Sequence, residues 1–72
     1  MSNFAQKPVT SEVARRVMEE LIAMRLVRFF TRRECDAHVM YVVHHQADID
    51  GYDANGMSVR EIADLVRDLS SI

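Results

Sequence analysis

The chain of 72 residues contains a single cysteine, Cys35, and therefore cannot form an intramolecular disulfide. Its stability must come from packing, and a reducing, cytoplasmic setting fits this composition. No apolar run approaches the ~20 residues needed to cross a bilayer. The first nine residues also lack the positive start and apolar stretch of a secretory signal. We therefore expect neither secretion nor membrane insertion.

The motifs of common enzyme classes are also missing. The chain has only two glycines, and it has no glycine-rich phosphate loop and no GxSxG motif. Cys35 with His38 as its base would need a depressed thiol pKa, a third orienting group and a cleft, for which so short a chain has little room. We expect no catalytic residues, no cofactor and no enzymatic activity.

Apolar residues, by contrast, are abundant. They make up 49% of the chain and include five methionines, three phenylalanines and two tyrosines, but no tryptophan. A chain of this size buries only ~60% of the surface that its unfolded form exposes. The apolar residues therefore exceed what a monomer easily hides, which favours a homodimer or an adaptor.

The spacing of apolar residues predicts three helices after a flexible lead over residues 1–9, which ends near Pro8. The first helix runs near Ser11 to Phe29, with Thr10 or Ser11 as its cap. Its apolar stripe is clear at the start but breaks down near Arg25, so the helix bends, ends around Phe29 or is covered on several sides. The inward residues of this first helix are Val13, Ala14, Val17, Met18, Leu21 and Met24.

The second helix is expected from Arg32 to Ala47, because Thr31 and Glu34 have the spacing of a capping box. Its run Val39 to Val43 also suits a buried strand, since β-branched and aromatic residues prefer a pleated surface. The third helix is expected from Ser58 to Ser70, where Ser58 and Glu61 repeat the capping spacing. Its apolar positions are Val59, Ile62, Val66 and Leu69. Residues 10–72 then form one all-α domain, a small three-helix bundle.

The segment between Asp48 and Met57 has the composition of a loop, with short acidic side chains and both glycines. Its carboxylates invite comparison with a calcium-binding helix-loop-helix. With Glu61 as the twelfth ligand position, however, Tyr52 and Ala54 occupy the third and fifth. A polar connecting loop is the better interpretation of this segment, and the question of a metal there stays open.

Cys35, His38 and His45 would share one face of the second helix, and all three are residue types that bind zinc. A structural zinc site needs four ligands, however, and the chain has no CxxC or HxxxH pair. We therefore interpret these residues as half-buried side chains with satisfied hydrogen bonds.

The two parts of the chain differ in charge. Up to Arg33 the sequence has seven basic residues and three acidic ones, and after it two basic residues and eight acidic ones. Eight of the nine basic residues are arginine, whose planar fork suits carboxylates, phosphates and protein interfaces. Such arginines often pair internally or lie in solvent, and they also permit phosphate contacts. The stretch from Ser58 to Leu69 has the general look of one helix of a helix-turn-helix, but the acidic net charge weighs against DNA binding.

Aromatic and arginine side chains dominate binding energy at protein interfaces, and this chain concentrates both between its first two predicted helices. Phe29 and Phe30 cannot both point inward from one helical segment. Either they belong to an exposed apolar patch, or the core wraps around them. Our functional hypothesis is a non-enzymatic regulator, such as a phage-type adaptor or inhibitor, that occupies a partner protein's surface and forms a homodimer. The alternative is a dimeric DNA-binding regulator. The expected binding residues are Arg25, Arg28, Phe29, Phe30, Arg32 and Arg33.

Overall fold

The computed structural model describes residues 9–28 and 32–70, except for the side chains of 26–28 and 32. Within these ranges the chain forms four α-helices and no strand: α1 (Glu12–Arg28), α2 (Arg32–His44), α3 (Gln46–Ala54) and α4 (Val59–Ser70). The all-α prediction is confirmed, and the run Val39 to Val43 is helical. The count of three helices is wrong, because the segment interpreted as a loop contains α3.

The main buried cluster is built mostly from α1 and α4, with one residue each from α2 and α3, and α2 also buries Cys35, His38 and Val43. Isoleucine and valine from α4 pack against the stripe of α1 that the spacing had predicted. The buried cluster consists of Ala14, Val17, Leu21, Met24, Val42, Ile49, Ile62, Ala63 and Val66. Val9 packs against this cluster as well, whereas the rest of the predicted flexible lead lies outside the described residues.

The break between α2 and α3 is a single residue, His45, with φ −124° and ψ 35°. Backbone hydrogen bonds continue across it, from the His45 amide to the Tyr41 carbonyl at 2.9 Å and from the Ile49 amide to the His45 carbonyl at 3.1 Å. The predicted second helix therefore ends at His44 and not at Ala47, and the chain turns directly into α3. Ile49, which is fully buried, fixes α3 against the core.

The end of α3 explains why its sequence resembles a loop. Gly56 has φ +92°, a conformation that glycine adopts without strain. The Gly56 amide donates to the Asp53 carbonyl at 3.0 Å, and the Met57 amide donates to the Tyr52 carbonyl at 3.2 Å. This is a Schellman motif, which commonly ends helices at a glycine. The glycine thus terminates a helix.

Local capping is as the spacing predicted at the start of α1 and α4. The Ser11 hydroxyl accepts a hydrogen bond from the Ala14 amide at 3.2 Å. At α4 the Ser58 amide donates to the Glu61 carboxylate at 2.8 Å, while the Glu61 amide donates to the Ser58 hydroxyl at 3.2 Å. The capping box at α4 is therefore confirmed. The one predicted at Thr31 lies outside the described residues.

Candidate functional site: the arginine end

Most of the arginine side chains that the structure describes are held by acidic neighbours. Arg15 and Arg16 contact Glu12 of the same helix at 3.0 and 3.1 Å. Arg60 of α4 reaches Glu20 of α1 at 3.2 Å. Arg67 contacts Asp64 at 3.3 Å, and its guanidinium also lies 4.0 Å from the Met24 sulfur.

Two arginines differ from this pattern. Arg25 and Arg33 are exposed, and neither forms an ion pair with any residue in the described ranges. Arg25 lies one turn before the end of α1, and Arg33 is the second residue of α2. Both therefore flank the connection between these helices, where the sequence predicted a binding surface.

The remaining predicted site residues are described only in part. Arg28 is the last residue of α1 and Arg32 is the first of α2, but their side chains are outside the description. Phe29 and Phe30 lie outside the described residues altogether. We call the four positions Arg25, Arg28, Arg32 and Arg33 the arginine end.

Arg25 and Arg33 each share a helix face with an exposed apolar residue. Ile22, which is 39% exposed, lies one turn before Arg25 on α1, and Met40, which is 37% exposed, lies two turns after Arg33 on α2. Both Ile22 and Met40 lie outside the buried cluster. Leu69, expected inside, is 38% exposed, so the apolar stripe of α4 is only partly covered.

The cysteine and histidine candidates do not come together as a site. Cys35 and His38 are buried in α2, with exposures of 4% and 1%, whereas His45 is exposed and contacts Asp48 at 3.2 Å. Cys35 and His38 are thus packed in the interior, more deeply than the half-buried positions expected from the sequence, whereas His45 is more exposed than expected. Among the described residues, no group of three or more side chains is arranged to hold a metal ion.

The acidic segment cannot act as a calcium loop, because most of it is helical. On α3, Asp48 pairs with His45, and Asp50 accepts a hydrogen bond from the Ser11 hydroxyl. A calcium loop needs a wrapped backbone that turns successive oxygens toward one ion. Helix α3 instead places Asp50 and Asp53 on one side, whereas Asp48 faces away from them and pairs with His45.

A cleft of about 430 Å³ lies where α1 and α4 begin and α3 passes by. Its rim is polar and mostly acidic, and two valines contribute apolar surface. Among the described residues that line it, Ser11 has the one hydroxyl, which is engaged with Asp50, and none is a histidine that could act as a base. No local pattern predicted this cleft, because its lining comes from three separate segments: Ser11, Glu12, Val13, Arg16, Asp50, Asp53 and Val59.

A small aromatic cluster marks the corner between α2 and α3. The Tyr41 and His45 rings stack with centroids 4.2 Å apart and an interplanar angle of 24°. Burial raises the pKa of the Tyr41 phenol, and the nearby Tyr52 and Asp48 raise it further. The phenol is therefore even less prone to ionise at neutral pH than an ordinary tyrosine.

Comparisons with protein-family models, with curated proteins and with solved structures found no match to this chain. The part of the chain that the structure describes contains no helix long and apolar enough to cross a membrane.

Proposed function

We propose that this protein is a non-enzymatic binding protein that attaches to a partner protein through its arginine end. The observation that carries the proposal is the contrast between paired and unpaired arginines. Arg15, Arg16, Arg60 and Arg67 have carboxylate partners within the fold, whereas Arg25 and Arg33 have none among the described residues. Within the described ranges, the guanidinium groups of Arg25 and Arg33 are therefore exposed to a ligand.

The physical case for a protein partner rests on the chemistry around these cations. Arg25 and Arg33 can each form forked hydrogen bonds with a carboxylate, and Ile22 and Met40 add apolar surface on the same helix faces. Interfaces combine apolar centres with arginine in this way. A partner surface with acidic side chains around an apolar centre fits best. The protein would then act as an adaptor or inhibitor by occupying that surface.

DNA binding is the second candidate, because the same free arginines suit phosphates equally well. The exposed side of α4 weighs against it, since Glu61, Asp64 and Asp68 lie there and Arg60 is already paired with Glu20. A helix with this charge repels the phosphate backbone. The arginine end would have to make all of the contacts.

Affinity capture from native cell extract tests the protein-binding proposal. We expect a captured partner to be lost when Arg25→Glu and Arg33→Glu are combined. Arg15→Glu combined with Arg16→Glu makes the same change in net charge at the opposite end of α1, and it should leave capture intact. Phe30→Ala tests the aromatic part of the predicted surface. Circular dichroism checks that helicity is unchanged, and equal capture by the Arg25/Arg33 and Arg15/Arg16 variants would refute the proposal.

A salt titration against random duplex DNA separates the two candidates. Each phosphate contact steepens the fall of log affinity with log salt, so DNA binding through the arginine end would give a clear slope that Arg25→Glu reduces. The absence of binding at low salt would remove the DNA candidate. Binding to DNA that is lost in the Arg25/Arg33 variant, with no captured protein, would favour it.

A homodimer belongs to the same proposal. In the described ranges the large apolar residues that remain exposed are Ile22, Met40 and Leu69, so a dimer interface would centre on one or more of them. Light scattering coupled to size-exclusion chromatography measures the mass directly. A monomeric mass at the highest usable concentration would remove the dimer without affecting the proposed partner binding.

A further inference from the structure

His38 is the most deeply buried ionisable side chain among the described residues, with 1% of its surface exposed. It lies on α2, and the backbone of Arg67 on α4 lies near its ring. The imidazole therefore fills part of the contact between α2 and α4. None of the interactions assigned to the proposed binding surface uses it.

The charged groups that face the ring oppose one another. Glu34 on α2 and the Arg67 carbonyl on α4 favour a protonated ring, whereas the Arg67 guanidinium disfavours it. Asp64 and Met24 hold that guanidinium in place. Among the described residues, α1 and α3 contribute no charged group to this environment. Burial is the largest effect, because a buried cation loses its hydration, and it lowers the pKa of His38.

We propose that the packing of α4 on α2 is sensitive to pH through His38, whose ring takes up a proton from solvent more readily when the two helices loosen. At neutral pH the uncharged ring fits the contact. Under mildly acidic conditions proton uptake favours states in which the ring is hydrated. In such states the apolar face of α4, which includes Ile62 and Val66, is less well covered.

The sign and size of the effect follow from linkage. A histidine whose pKa is lower in the folded state leaves stability unaffected above its unfolded pKa of 6.5, and stability is lost as pH falls below that value. If the ring stays fully neutral in the fold, the unfolding equilibrium constant rises by at most about 30-fold between about pH 7.5 and pH 5. The rise is smaller if the folded protein also binds the proton in this range.

Urea unfolding at several pH values tests the proposal. We expect the wild type to lose stability toward pH 5 more steeply than His38→Gln, whose amide is hydrogen-bonding but does not titrate in this range. His44→Gln is the matched control, because His44 lies on the same helix and is exposed in the folded chain. It should retain the pH dependence of the wild type.

A second measurement does not depend on the variant's folding. NMR of the histidine ring protons in the wild type follows His38 directly, and we expect its midpoint to lie below 6.5. A His38 midpoint at or above 6.5, or equal pH dependence in the wild type and a folded His38→Gln, would overturn the proposal. Neither measurement involves the arginine end, so failure of the pH proposal leaves the proposed function untouched.

Discussion

Gln46, the first residue of α3, is the main link between α3 and the start of α1. Its side-chain oxygen accepts hydrogen bonds from the Thr10 amide at 2.8 Å and from the Ser11 amide at 2.9 Å. Beside it, the Ser11 hydroxyl donates to Asp50 of α3. We predict that Gln46→Ala destabilises the protein by removing the acceptor for two backbone amides.

The magnitude follows from the two bonds. An intramolecular hydrogen bond between neutral groups contributes about 0.5–1.5 kcal/mol net. Thr10 is exposed, so water can reach its amide when the glutamine is removed, and the loss there falls at the low end of this range. We expect Gln46→Ala to cost about 1–2 kcal/mol in total. For a domain of this size each kcal/mol lowers Tm by about 4–8 °C.

Gln46→Glu is the matched variant, because it keeps an oxygen acceptor at the same distance. Its negative charge lies at the N-termini of both α1 and α3, where the helix dipoles favour it. Asp50 one turn away opposes it, and the 3.4 Å hydrogen bond that the Gln46 amide nitrogen donates to the Val43 carbonyl is lost. We expect Gln46→Glu to retain most of the wild-type stability at neutral pH.

Urea unfolding measures both variants, and amide hydrogen exchange reports on the Thr10 and Ser11 amides directly. The reasoning is refuted if Gln46→Ala matches the wild type within error, or if Gln46→Glu is the more damaging of the two.

Two further predictions concern the glycines of α3 and its C-terminal turn and the capping box of α4. Gly51 lies inside α3 with open space around the position of a Cβ atom, so Gly51→Ala should stabilise the protein by about 0.5–1 kcal/mol. Gly56 has φ +92°, so Gly56→Ala should destabilise the protein by about 1 kcal/mol. Thermal melting of the two variants gives the comparison, and shifts of the same sign would contradict the assignment of Gly56 as the terminator of α3. Ser58→Ala should lower the free energy of unfolding by about 1 kcal/mol through loss of the capping box. Glu61→Gln should lower it by less, because the side-chain oxygen of glutamine still accepts a hydrogen bond from the Ser58 backbone amide. Equal melting temperatures for Ser58→Ala and the wild type would show that this cap does not stabilise α4.

The features predictable from the sequence were those set by neighbours within about one helical turn. The stripe from Ala14 to Met24 and the Ser58–Glu61 box depend on helical spacing alone, and both were found as expected. Helix α3 was missed because aspartate and glycine are poor helix formers and dominate the segment. Its stability comes from the burial of Ile49 and from the Schellman motif at Gly56, a signal that was present in the sequence but was interpreted as part of a loop.

The location of the candidate site could be predicted from the sequence, but which arginines form ion pairs within the fold could not. The concentration of arginines before Glu34 is visible in the sequence, and the pairing of Arg15 and Arg16 with Glu12 follows from helical spacing. The pairing of Arg60 with Glu20 joins residues 40 positions apart, and no local rule predicts it. The distinction between used and unused arginines therefore required the fold.

By itself, the sequence determined that this chain is helical, where most of its apolar stripes lie and how α4 is capped, because these properties depend on backbone geometry and near neighbours. Only the tertiary structure decided that a fourth helix forms, that His38 is enclosed between α2 and α4, and that Arg25 and Arg33 have no carboxylate partner among the described residues. Burial and ion pairing between helices depend on which distant faces meet, and that is a property of packing that no single segment contains.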